Sequence, residues 1–204
     1  MTKGAGFDSD VLVVGAGPVG LTLACELYRH GVACRVIDKD AGLAEESRAI
    51  AIQSRTLEVF AGMGIIDPVL EQGRVIHQAN FSNDRRKIAQ LVFDELDSPY
   101  PYLLILPQNQ LEKILLQRLS EFGGEVEWRK KFDSLTQDQQ RVSLTLSGQQ
   151  GEETLCAPWL VGCDGMESAV GAALSMPYKE TRRDGVFLLL DVHMQSDLPD
   201  DEIH

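Results

Sequence analysis

Residues Val11-Leu-Val-Val-Gly15-Ala-Gly17-Pro-Val-Gly20-Leu-Thr-Leu-Ala24 narrow the possible folds more than any other stretch of the chain. Four apolar residues suited to a buried strand run into a G-x-G-x-x-G turn, and a helical pattern follows at once. Val32-Ala-Cys-Arg-Val36-Ile37 then reads as a second short strand and ends on Asp38. These are the parts of a dinucleotide-binding βαβ unit, in order. Gly15 allows the tight turn out of the strand, Gly17 keeps a Cβ out of the path of a pyrophosphate, and Gly20 lets the helix pack closely on the strands. The pyrophosphate would rest on helix N-terminal amides at the positive end of the helix dipole. Asp38 is placed to accept hydrogen bonds from an adenosine ribose. A glycine-rich turn without a ligand is the plainer alternative for an isolated motif. Here strand, helix, second strand and acidic end all agree against it.

The 204 residues suit one large domain, or one domain and part of another. Hydrophobic residues make up 44% and charged residues 25%, ordinary globular usage that predicts a sizeable core. A net charge of −12 argues against nucleic acid, where a basic patch supplies most of the affinity, and against an anionic membrane surface. No apolar run approaches the roughly 20 residues of a membrane helix, and Met1 to Asp8 has no signal core, so a cytoplasmic location is expected. Cys25, Cys34, Cys156 and Cys163 form no C-x-x-C pair and read as small buried hydrophobes in a reducing compartment. No metal site is expected.

Further along, Gly31 closes the helix that spans 18–30. Residues 41–51 read as a loop, and Ser54 is placed to cap a helix ended by Gly62 or Gly64. Residues 75–81 and 86–93 predict two strands around a turn at 82–86, with Arg85-Arg86-Lys87 as a solvated part of it. Tyr102 to Leu106 is a strand, and Leu111, Ile114, Leu115, Leu119 and Phe122 give a helix with one apolar face, ended by Gly123-Gly124. Three β segments are expected at 125–135, 141–147 and 153–157. Leu160 to Gly165, a short helix at 168–174 and a strand at 187–194 complete the pattern. Trp128 and Trp159 read as packing residues, and the four histidines have no partner in sequence.

Asp164 and Gly165 end an apolar strand, at the carboxyl edge where α/β sheets bind ligands, although Asp-Gly is also a favoured turn pair. Arg48, in the loop after the second strand, can offer paired donors to a pyrophosphate or serve as a surface ion-pair partner. Gln108 starts its helix as a first-turn residue or a ligand contact.

The ordered set of motifs resembles the N-terminal part of the single-component flavin-dependent aromatic hydroxylases, the class related to p-hydroxybenzoate hydroxylase. Within that class it is most similar to the phenol and polyketide ring hydroxylases. The matching residues are Gly15 to Ala24, Asp38, Ser47-Arg48-Ala49, Arg55-Thr-Leu-Glu58 and Gly62-Met-Gly64. Leu106-Pro-Gln108, with Leu111-Glu112 and Leu115, and Leu160-Val-Gly-Cys-Asp164-Gly165, with Ser168 and Val170, follow in family order. The resemblance implies an α/β, Rossmann-like FAD-binding domain over 1–175, with a β-hairpin insertion near 75–93. Residues 176–204 would begin an incomplete β-rich second domain. It implies FAD as cofactor, held by Gly15, Gly17, Gly20, Asp38, Lys39, Arg48, Gln108, Asp164 and Gly165. It further implies NAD(P)H as co-substrate and O₂ as the source of an oxygen atom placed on a small aromatic substrate. Glu167 and Gly171 stand where the family usually carries basic residues, which bears on NAD(P)H handling. The family's second Gly-Asp motif and most of its substrate domain are not in the sequence. The expectation is a truncated or split hydroxylase, its site completed by a second chain or homodimer. The alternatives are a non-catalytic nucleotide-binding module that works with a partner chain and, less favoured, an NAD-dependent dehydrogenase.

Overall fold

The computed structural model describes residues 7–43, 51–83, 86–177, 185, 195 and 198–203. Its centre is β1 (Val11–Val14), where all four side chains are buried and alternate between two cores. Val11 and Val13 face one core, Leu12 and Val14 the other. A strand covered on both faces has to read as a continuous apolar run, and this one does. α1 (Pro18–Arg29) returns the chain to β2 (Cys34–Ile37), parallel to β1.

On the first face, Leu21, Ala24 and Cys25 of α1 pack with residues of α2 (Ser54–Met63), α3 (Ile66–Gln72) and α4 (Gln108–Glu121). A small sheet lies beside these helices, in which β3 (Ala51–Ile52) and β4 (Arg74–Ile76) flank β7 (Leu103–Ile105). β5 (Gln78–Asn83) and β6 (Arg86–Val92) form a hairpin. The second face of β1 is covered by an antiparallel meander of β9 (Lys131–Gln137), β10 (Val142–Gly148) and β11 (Gly151–Ala157). Phe132, Leu144, Leu146, Leu155 and Ala157 supply its buried face. The parallel sheet is completed by β8 (Val126–Glu127) and β12 (Trp159–Gly162), in the order β12-β1-β2-β8. Last come α5 (Ala169–Ala173) and β13 (Glu202–Ile203), the latter paired with β5. The layers are therefore helices, parallel sheet and antiparallel sheet, the Rossmann-like α/β arrangement expected.

Several local expectations are corrected. The segment 75–81 breaks at His77, because β4 pairs with β7 while β5 pairs with β6. Arg86 and Lys87 belong to β6 rather than to the turn, and Ala51 is in a strand rather than a loop. The segment 125–135 divides at Arg129, whose φ of 59° turns the chain out of the parallel sheet and into the meander. Ser54 does not cap α2; Gln53 is the N-cap, and the Ser54 hydroxyl donates to the Tyr102 carbonyl. Gly64, at φ 73°, ends that helix rather than Gly62. Trp159 is 70% exposed, so it is no packing residue, and Cys156 and Cys163 are only half-buried. His77 pairs with Asp94, which sequence could not show. The strand expected at 187–194, the loop residues 44–50 and Arg85 lie outside the described residues.

Ion pairs tie the parallel sheet to the meander. Arg35 of β2 grips Glu127 of β8 with two hydrogen bonds of 2.6 and 2.7 Å and reaches Glu153 of β11 at 3.3 Å. Lys130 also donates to Glu153. The Lys130 hydrogen bond, assisted by Arg35, holds the Glu153 carboxyl below the usual carboxylate range despite partial burial. A lowered folded-state pKa contributes stability that is present above the carboxylate range and lost as pH falls through it. Urea unfolding followed against pH should therefore show a loss of stability in mild acid that is smaller in Lys130→Met. An identical acid profile in the variant would remove the pair from the account.

Candidate functional site

The carboxyl ends of the four parallel strands form one continuous ledge. In sheet order it carries Cys163-Asp164-Gly165 after β12, Gly15-Ala16-Gly17 after β1, Asp38-Lys39-Asp40 after β2, and Trp128 after β8. Backbone hydrogen bonds carry the sheet pattern onto this ledge, from Cys163 N to Val14 O at 2.7 Å and from Gly15 N to Ile37 O at 2.8 Å. The chain leaves β1 toward β2 on one side, while β12 flanks it on the other. This reversal is the switch point at which open α/β sheets bind ligands. A cavity of about 510 Å³ lies along the ledge, within the range of small-molecule sites.

The glycines have separate duties. Gly15 takes φ 104°, and a Cβ there would stand 2.4 Å from the Cys163 carbonyl oxygen. A Cβ on Gly20 would stand 1.9 Å from the Gly15 carbonyl oxygen, so α1 presses directly on the turn. At Gly17 a Cβ would meet nothing within 4 Å, and the residue lines the cavity. Gly17 is also the N-cap of α1; no side chain caps this helix and no acidic residue stands in its first turn. The first amides of this helix thus have no side-chain cap and no acidic residue within its first turn, while the Asp38 carboxylate takes the Ala16 amide that precedes them.

Asp38 does more than the sequence suggests. Its Oδ2 accepts from the Ala16 amide at 2.6 Å and its Oδ1 from the Asp40 amide at 2.8 Å, so it locks the glycine turn to the end of β2. Carboxylate oxygens each have two acceptor sites, so ligand hydroxyls can still be served. Asp164 similarly holds α5, accepting from the Ser168 hydroxyl at 2.6 Å and the Val170 amide at 3.1 Å. Lys39, Gln108 and Gly165 all line the same cavity. Gly15, Gly17, Gly20, Asp38, Lys39, Gln108, Asp164 and Gly165 are thus gathered around one space, Gly20 as support behind the turn. Arg48 lies outside the described residues.

The sequence reading missed the cavity lining contributed by Glu112, Trp128, Lys130, Lys131 and Phe132. Trp128 packs against the first core and also borders the cavity, so its assignment as a packing residue was incomplete. β8 is too short to show a period; its pairing with β2, and the bonds from the Arg129 and Lys130 amides to the Asp40 and Asp38 carbonyls, carry Trp128 and the residues after it to the site, while Glu112 comes from α4. Cys163 also lines the cavity. Burial, with the Asp164 carboxylate beside it, pushes its thiol up, away from the thiolate form that a nucleophile needs.

Residues 8–204 match the family model described as an FAD binding domain. The chain is 38% identical to 6-methylpretetramide 4-monooxygenase of Streptomyces rimosus, over 95% of this chain and 35% of that enzyme. Among solved structures it is similar to p-nitrophenol 4-monooxygenase of Pseudomonas putida DLL-E4, with a TM-score of 0.79 and 28% identity, over 84% of this chain and 44% of that one. It is also similar to aklavinone-11 hydroxylase in its ternary complex with FAD and aklavinone, with a TM-score of 0.71 and 30% identity, over 86% of this chain and 36% of that one. The chain spans less than half the length of each of these relatives. No described helix is long and apolar enough to cross a membrane.

Proposed function

The chain belongs to the FAD-binding-domain family and its cofactor is FAD; from that premise we propose that it serves a monooxygenase acting on a phenolic or polyketide aromatic compound. The observation that carries the proposal is the uncapped turn at Gly17, whose Cβ position opens on the cavity. The residue set fits FAD. The amides at the start of α1 receive the pyrophosphate, and Asp38 with Lys39 receives the adenosine ribose beside β2. Gln108 and Arg48 serve the pyrophosphate and ribityl region, with Asp164 and Gly165 at the β12 end. When bound, FAD supplies the redox chemistry, taking electrons from NAD(P)H and passing them to O₂. The protein's share is to orient the cofactor and keep water from it.

A domain of 1–175, followed by the start of a substrate-domain sheet at 176–204, goes with this reading, as does a second chain or homodimer that completes the substrate pocket. A cytoplasmic setting is supported by four free cysteines. To test the function, the FAD-loaded chain is supplied with NADH or NADPH and a panel of phenols. Nucleotide consumed, peroxide formed and hydroxylated product are then compared. We expect nucleotide oxidation that yields peroxide, and product only when the pocket is complete. A chain that binds FAD yet never oxidises either nucleotide would instead be a binding module.

A further inference from the structure

The sheet of β13, β5 and β6 is closed on one side only. β13 pairs along β5, and no described strand pairs along the outer side of β6. Every residue of β6 is exposed, Ile88 at 67%, Leu91 at 52% and Val92 at 48% among them, and Phe81 beside it on β5 is 50% exposed. The Phe93 amide donates to the His77 carbonyl at 2.9 Å, so alternation along the antiparallel ladder turns the backbone groups of Gln90 and Val92 away from β5. An exposed apolar edge is a template for another strand, and proteins usually blunt it with charge or proline along its length. Here the charges stand at the two ends, with opposite sign. Arg86 and Lys87 open the strand, Asp94 and Glu95 follow it, and Ile88 to Phe93 between them carry none. Asp94 bonds His77 and is still exposed. A strand charged in this way is complementary to itself, run antiparallel.

We propose that β6 is an interface between two copies of this chain: the second copy lays its own β6 antiparallel along this edge, about a two-fold axis near Gln90 and Leu91. The ladder with β5 is regular from Ala89 to Val92 and shifts only beyond it, toward Lys87, so the axis falls on the regular stretch. The two-fold sets the basic end of each strand beside the acidic end of the other and brings the two apolar runs together. The outward backbone groups of Gln90 and Val92 pair across the axis, and the two sheets become continuous. The chain as a whole carries a charge of −12, so a basic pair facing carboxylates offsets repulsion at the point where the copies meet. Both halves of the match lie in one strand, which selects a second copy over an unrelated partner. The proposal goes beyond the function above and does not rest on the FAD reading.

The test is sedimentation equilibrium of the full chain over a concentration series, with hydrogen exchange of the β6 amides and circular dichroism as the check on folding. The unaltered chain should approach the mass of a dimer, and the Gln90 and Val92 amides should become protected as it does. Gln90→Pro removes an outward amide without touching the bonds to β5, and should leave a folded monomer. Two charge-reversed chains are then compared, Arg86→Glu with Lys87→Glu and Asp94→Lys with Glu95→Lys. Each alone should self-associate at least roughly tenfold more weakly, because the two-fold repeats every lost pair. Mixed one to one, they should dimerise again, since each end then meets the opposite sign. The proposal is overturned by an unaltered chain that stays monomeric, whatever else covers the edge. It is equally overturned by a folded Gln90→Pro that dimerises as before, or by a mixture no more associated than its two folded components. If Gln90→Pro does not fold, the charge-reversed pair decides; if one of that pair does not fold, Gln90→Pro and amide protection decide.

Discussion

Gly17→Val is expected to leave a folded chain that no longer binds FAD. Its φ of −72° suits any L residue, and nothing stands within 4 Å of where its Cβ would be. The fold therefore accepts the side chain, at a cost of about 1 kcal/mol for a branched residue at an N-cap. The ligand does not. The space the valine would fill is the cavity in front of the first amides of α1, where the pyrophosphate has to come within hydrogen-bonding distance of the backbone. Displacing it forfeits several charge-assisted bonds at once, so the loss should exceed about 3 kcal/mol, more than a hundredfold in affinity. Circular dichroism and calorimetry on the same sample check both halves. A folded variant with unchanged affinity would show that the turn does not hold the ligand.

Gly20→Ala, three residues away in the same motif, should fail in the opposite way, through the fold. The new Cβ would lie 1.9 Å from the Gly15 carbonyl oxygen and 3.3 Å from the Cys163 Cβ. A backbone oxygen cannot swing aside like the end of a side chain, and this turn is pinned by the 2.8 Å bond from Gly15 N to Ile37 O. Either α1 lifts off β1 and opens the first core, or the turn after β1 distorts. We expect a loss of at least about 3 kcal/mol, at the upper end for overpacking because the obstacle is backbone. Urea unfolding of both proteins measures it. A variant within about 0.5 kcal/mol of the parent, inside the range of ordinary surface changes, would mean that helix and turn are not in contact.

The different surroundings of two glycines in one motif, open space at Gly17 and the Gly15 carbonyl oxygen at Gly20, show how sequence and structure divide the information. That G-x-G-x-x-G follows a buried strand is written in the residues from Val11 to Gly20, and so are the helix, the second strand and Asp38. Local spacing carries these features, and the structure has them in place. The helix of 108–121 and the glycine-bounded β10–β11 hairpin were legible for the same reason. Partner choice was not. Whether 125–135 is one strand or two depends on Val126 and Glu127 pairing with β2, while Lys131 onward joins β10. The residues on either side of Arg129 do not encode that division locally. In the sequence Glu112 stands only as part of a matching motif; its burial, its bond with Gln108 and its place on the cavity wall come from the fold. Asp38 was read for what it offers a ligand, and its hold on the Ala16 amide needed three dimensions.

The central claim is that this turn and ledge form an FAD site rather than a site for a nicotinamide dinucleotide or for none. A calorimetric titration of the full chain with FAD and with NAD, run side by side, tests it most directly. The account predicts saturable FAD binding tighter than NAD binding, because residues 8–204 match the FAD binding domain and Gln108, Asp164 and Gly165 of its motifs line the same cavity as the glycine turn. NAD binding more tightly than FAD, or no heat from either in a folded chain, would contradict it.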